Sequence, residues 1–120
     1  MVALGVAAVG HGETKVTGGR FWHGPDKTRM VFDISAVTTF QAFVLMSPDR
    51  FVIDIDNTIL DGGLPEPKGD TSPVTGVRTG QPESGVLRVV LDLKRPVKYQ
   101  VFVLEPNSPY PYRLVVDLFE

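Results

Sequence analysis

The stretch Arg50-Phe51-Val52-Ile53-Asp54-Ile55 decides the fold, because its pattern is written four times. Arg50-x-Val52-x-Asp54 recurs as Arg29-x-Val31-x-Asp33, Arg88-x-Val90-x-Asp92 and Arg113-x-Val115-x-Asp117. The intervening positions are apolar: Met30, Phe32 and Ile34; Phe51, Ile53 and Ile55; Val89, Leu91 and Leu93; Leu114, Val116 and Leu118. Side chains alternate across a strand with period two, so each copy reads as a strand with one apolar face and one Arg-Val-Asp face.

Working outward from these strands, the chain divides into two similar halves. Val16-Thr17-Gly18-Gly19-Arg20 returns as Val74-Thr75-Gly76-Val77-Arg78, identical at four of five positions. Residues 28–45 align with 87–104 at a constant offset of 59. Arg113 to Leu118 follows Arg50 to Ile55 after four extra residues within Asn107–Tyr112. The half-repeats span 16–55 and 74–118, joined by a linker over 56–73, with a lead-in over 1–15. The linker carries Gly62, Gly63, Pro65 and Pro67 among acidic residues and reads as a surface connection. Two copies are too few for a solenoid. A half that buries its apolar face against its twin is the natural solution. The expected fold is an all-β sandwich of two small sheets related by a pseudo-two-fold axis. No stretch has the three- and four-residue apolar spacing of a helix.

Composition narrows the function classes. The 120 residues form one domain with no cysteine, which leaves no disulfide framework and no thiolate metal site. Basic residues number 12 against 14 acidic ones, with no basic run, so nucleic acid is a poor partner. The apolar start, Val2 to Val9, is too short to cross a bilayer. His11 and His23 lack zinc-site spacing and read as solvated loop residues, and no nucleophile elbow, phosphate loop or dinucleotide fingerprint is present.

The repeated face is the candidate site. It presents Arg29, Asp33, Arg50 and Asp54 in the first half and Arg88, Asp92, Arg113 and Asp117 in the second. In the middle strands the rows Phe40, Ala42, Val44 and Tyr99, Val101, Val103 belong inside. That places Gln41 and Phe43, and their counterparts Gln100 and Phe102, outside. Turning the Arg-Val-Asp rows inward instead requires burying eight charges. Two readings fit the outer face. Guanidinium forks clasp carboxylates and aromatic faces cover sugar rings, which makes it a surface for glycans or short peptides. Alternatively, Arg and Asp on neighbouring strands form a charged ladder, worth roughly 0.2–1 kcal/mol per pair. Trp22 and Phe21 fit either a binding aromatic pair or a cover over a core edge. Tyr110-Pro111-Tyr112 fits a rigid hairpin tip or a partner contact.

The ordered set Thr28–Ile34, Phe43-Val44-Leu45, Ser47–Ile55, Arg88–Asp92 and Arg113–Phe119 resembles the AMIN domain over about residues 16–119. The resemblance implies a non-catalytic β-sandwich module of the bacterial envelope. Such modules precede the catalytic domain of periplasmic N-acetylmuramoyl-L-alanine amidases, where they bind peptidoglycan and direct the enzyme to the division septum during daughter-cell separation. They also occur in secretins of type IV pilus machines, and protein docking is the alternative function. The Phe-x-Leu-x-x-Pro-x-Arg run is more like the amidase version. By this resemblance a zinc-dependent catalytic domain lies beyond Glu120, its zinc ligands are absent here, and the chain itself binds no cofactor and cleaves nothing. Peptidoglycan is the expected partner, with division-site or envelope proteins as further candidates, and neither nucleic acid nor membrane insertion is expected. The twelve outer-face residues named above become the expected ligand contacts, forming two weak sites whose effective concentration on a polymer raises avidity. A third reading, an enzyme using the acidic loop 56–73, would require turnover of muropeptides by this chain.

Overall fold

The structure, a computed structural model, describes residues 13–67 and 72–120. His11 and most of the expected lead-in lie outside the described residues. Nine strands follow in order among the described residues: β1 (Thr14–His23), β2 (Thr28–Ile34), β3 (Phe40–Leu45), β4 (Arg50–Asp56), β5 (Thr58–Leu60), β6 (Val74–Gly80), β7 (Val86–Leu93), β8 (Lys98–Leu104) and β9 (Tyr112–Phe119). They form a five-stranded sheet, β5-β1-β2-β9-β8, and a four-stranded sheet, β3-β4-β7-β6.

The duplication maps β1, β2, β3 and β4 onto β6, β7, β8 and β9. Applied to the strand order, it converts β1-β2-β9-β8 into β6-β7-β4-β3, which is the other sheet. The all-β, two-sheet expectation is met, and the repeat relates the sheets. The halves, however, do not form one sheet each. Each half places one hairpin in one sheet and its second hairpin in the other. The central pairings, β2 with β9 and β4 with β7, both join the halves and are antiparallel. The reason is the core. Divided between the sheets, the apolar rows of both halves enter one common core cluster. With the hairpins divided, the halves are joined by backbone pairing within both sheets as well as by the shared core.

The apolar rows fill that interior. Met30, Phe32, Phe51, Ile53, Ile55, Val89 and Leu91 are fully buried, joined by Ile34, Leu93, Leu114, Val116 and Leu118. Each such side chain stabilises the fold by about 1.5–3 kcal/mol relative to exposure. Phe40, Ala42, Val101 and Val103 pack against this cluster from the flanking strands, as their alternation predicts, whereas Val44, expected in the same inner row, is 42% exposed towards the end of β3. Tyr99 links the sheets at their rim, meeting Phe51 edge-on at 5.2 Å and donating its hydroxyl to the Ala42 carbonyl at 3.0 Å.

Two features of the fold were not foreseen. The linker contributes β5, which runs parallel to β1 and pairs Thr14 with Thr58, so β1 begins ahead of the expected boundary at 16. Each half also carries a β-bulge at the same place, between Val16 and Gly18 and between Val74 and Gly76. A bulge inserts one residue and reverses the alternation beyond it. Val16 and Arg20 are four residues apart and would share a face in a regular strand. Because of the bulge, Val16 is fully buried while Arg20 lies on the outer surface.

Candidate functional site

The register places the repeated residues in rows across each outer face. On the five-stranded sheet, Trp22 stands opposite Arg29, Arg29 opposite Asp117, and Asp117 opposite Gln100. The next row is Arg20, Val31, Val115 and Phe102, and the third is Gly18, Asp33, Arg113 and Leu104. The four-stranded sheet repeats these as Gly80, Arg88, Asp54 and Gln41; Arg78, Val90, Val52 and Phe43; and Gly76, Asp92, Arg50 and Leu45. All twelve residues expected at the site therefore lie on two outer faces, six on each. Each face draws on both halves, because the central strands do.

Within a row the chemistry is specific. Arg29 grips Asp117 through Nε at 2.7 Å and Nη2 at 2.9 Å, and Arg88 grips Asp54 through the same atoms at 2.8 and 2.9 Å. Each guanidinium also lies over a ring, Arg29 over Phe102 at 5.5 Å and Arg88 over Phe43 at 5.8 Å. The ring and the carboxylate thus fix the fork from two sides, which limits its rotamers before any ligand arrives.

The remaining arginines behave differently from a simple ladder. Arg113 and Arg50 face Asp33 and Asp92 in register, but these carboxylates are taken from the other side. Arg20 binds Asp33 at 2.7 and 3.1 Å, and Arg78 binds Asp92 at 2.9 and 2.8 Å. The Val-Thr-Gly-x-Arg motif is built for this contact. Gly18 and Gly76 lie beside the carboxylates, where an added Cβ would stand in ordinary contact with the Asp oxygens at 3.7 and 3.4 Å. The Arg two residues later then reaches across. Arg50 turns to the carbonyls of Pro48 and Met46, and Arg113 to those of Pro111 and Glu105. Neither forms an ion pair among the described residues.

The two faces differ in burial. Asp117 is 2% exposed and also receives Lys27 Nζ at 3.2 Å. Hydrogen bonds from Arg29, with help from Lys27, hold its carboxyl below the usual range, against burial that pushes it up. The same carboxylate bonds raise the guanidinium pKa of Arg20, Arg29, Arg78 and Arg88 above the ordinary value, so all four stay charged. No group of three His, Asp or Glu side chains among the described residues could hold a metal ion. His23 sits at the end of β1 with Nδ1 2.7 Å from the Thr28 hydroxyl, rather than in a loop.

The AMIN domain model matches residues 19–118, nearly the whole of the two-sheet unit. The chain belongs to the AMIN domain family. An N-acetylmuramoyl-L-alanine amidase AmiC from Neisseria meningitidis is 36% identical over 107 residues, covering 86% of this chain and 26% of the relative. An N-acetylmuramoyl-L-alanine amidase AmiC from Escherichia coli is 31% identical over 110 residues, covering 88% of this chain and 26% of the relative. The chain spans about a quarter of the length of these curated relatives.

This AMIN domain has surface residues that sequence reasoning did not place at the site: Arg20, Arg78, Lys27 and Trp22. The signal for the first two was present in the repeat of Val-Thr-Gly-x-Arg, but the bulge hid which face the Arg takes. Trp22 is 55% exposed on the outer face, while its neighbour Phe21 packs against the core. The tryptophan ring folds back over Gly24, where an added Cβ would lie 2.2 Å from it.

Proposed function

We propose that this AMIN domain is the peptidoglycan-binding, septum-targeting module of a periplasmic cell-wall amidase that acts in daughter-cell separation. The observation that carries the reading is the outer-face constellation. Oriented guanidinium forks, exposed amides of Gln41 and Gln100, and the rings of Phe43 and Phe102 repeat on two opposite faces. A charged ladder alone would use all eight repeated charges among themselves, and Arg50 and Arg113 are left outside it. Amides, forks and rings suit a polymer of amino sugars and short peptides carrying carboxylates. Two faces on one domain engage the same polymer twice, so weak contacts sum through effective concentration. Membership of the AMIN family and the amidase relatives support the cell-wall assignment. In this reading zinc-dependent hydrolysis belongs to a separate catalytic domain and this domain supplies location.

The test is co-sedimentation with purified, protein-free sacculi, using the chain and a folded Arg50→Glu/Arg113→Glu variant. The parent is expected in the pellet and the variant in the supernatant. Equal sedimentation of both would remove the repeated faces from the site. A parent that stays in solution would leave the motif as a charged ladder and favour docking to an envelope protein.

A further inference from the structure

The two outer faces are related by the repeat, yet they offer different chemistry. On the four-stranded sheet a shallow depression of about 260 Å³ is lined by Leu45, Arg50, Val52, Arg78, Gly80, Arg88 and neighbouring residues of β6 and β7. Its apolar floor is the half-buried Val90, with the 2% exposed Val52 opposite it in the central pairing. Three guanidinium groups surround that floor. Arg88 and Arg78 each use Nε and Nη2 on a carboxylate, and Arg50 uses Nε and Nη2 on backbone carbonyls. All three therefore keep Nη1 without a protein partner among the described residues. Three cations against the two carboxylates Asp54 and Asp92 leave the depression one positive charge in excess.

The equivalent place on the five-stranded sheet is built differently. Gly80 is replaced there by Trp22. Arg113 stacks on Tyr110 at 5.1 Å, and Arg20 commits both Nη1 and Nη2 to Asp33. Small apolar floor, three fixed forks and an open rim define a ligand with a carboxylate on a short aliphatic skeleton. A planar carboxylate matches the two-pronged geometry of guanidinium.

We propose that the depression on the four-stranded sheet binds the C-terminal carboxylate of a peptidoglycan stem peptide, with the terminal alanine methyl against Val90. This rests on the wall-binding reading and assigns that recognition to the peptide, on one face, with Arg78 as an added contact. The glycan is then not the group read at this site.

The test titrates the ¹⁵N-labelled chain with N-acetyl-D-alanyl-D-alanine and with its C-terminal amide. Shifts are expected at Arg50, Arg78, Arg88 and Val90 with the acid, and at least ten-fold weaker binding with the amide. Arg78→Gln, and Gly80→Trp, which brings an indole to the rim where a Cβ meets open space, should each weaken the acid ten-fold or more. Both variants are checked by their amide spectra for an intact fold. Acid and amide binding equally, or shifts confined to the Trp22 and Arg113 face, would overturn the inference. Sedimentation with intact sacculi, and titration of the labelled chain with the soluble glycan strands that an amidase releases from them, separates the two claims. Binding to intact sacculi alone supports the inference. Binding to both overturns it while the wall-binding reading stands. No binding to either removes the wall-binding reading itself.

Discussion

At the scale of single residues, the faces divide into charges that hold the fold and charges that remain available. Asp117 is nearly inaccessible and receives three hydrogen bonds from Arg29 and Lys27. Its counterpart Asp54 has a side chain 17% exposed and receives two from Arg88. Removing a charge from the buried network strands its partners, and hydrogen bonds to charged groups are each worth about 1.5–3 kcal/mol. Asp117→Asn is therefore expected to lower unfolding stability by about 2 kcal/mol, and Asp54→Asn by about half of that, read from urea denaturation. The pH dependence follows from the sign of the shift. The folded Asp117 carboxyl is held below its unfolded value of about 3.9. Its contribution is complete above that pH and is lost as pH falls through the lower folded value. The parent should thus lose stability below about pH 4 more steeply than Asp117→Asn. Parallel acid limbs would mean that Asp117 is not the group responsible.

At the scale of elements, the strand faces could be read from the chain because the Arg-x-Val-x-Asp spacing matches the period of the pleat. Inside and outside were therefore legible for β2, β4, β7 and β9, and Gln41, Phe43, Gln100 and Phe102 fell on the expected side. The partner of each charge was not legible. Four Arg and four Asp at one spacing pair equally well in several registers, and only the strand order selects Arg29 with Asp117 and Arg88 with Asp54. The bulges were hidden for a related reason. An inserted residue has no signature of its own, and alternation counted back from Arg78 puts Val74 outside and Thr75 inside. The structure reverses this, with Val74 2% exposed and Thr75 at the surface, its hydroxyl donating to the Asp92 carbonyl at 3.2 Å. Val74→Ala should then cost about 2 kcal/mol, a core truncation, and Thr75→Ala under about 0.5 kcal/mol. The opposite ranking in urea melts would show a regular strand without the bulge. β5 escaped notice because three residues, Thr58 to Leu60, carry no period, and their parallel pairing with β1 is set by a neighbour distant in sequence.

At the scale of the whole molecule, the crossed arrangement of the halves makes site and fold inseparable. Each outer face is centred on an inter-half pairing, so the Arg29–Asp117 and Arg88–Asp54 grips exist only when both halves are present. A hairpin pair standing alone exposes its apolar rows, since two strands with one wet apolar face are marginal in water. The β1-β2 hairpin has its in-sheet partner in β9, and the β3-β4 hairpin has its partner in β7. A fragment of residues 1–67 should therefore lack a cooperative transition, and so should one of residues 68–120. Mixed at equal concentration, they should regain strand circular dichroism and a single unfolding transition whose midpoint rises with concentration, as linked folding and association require. If each half instead made its own sheet, either fragment alone would keep its strand signal, and mixing would add only the docking of two preformed layers. Cooperative melting of a lone fragment is the result that would refute the crossed sandwich. Complementation also reports on the site. Recovery of sacculus binding on mixing, with none in either fragment, would show that the binding faces are assembled by the same contacts that close the core.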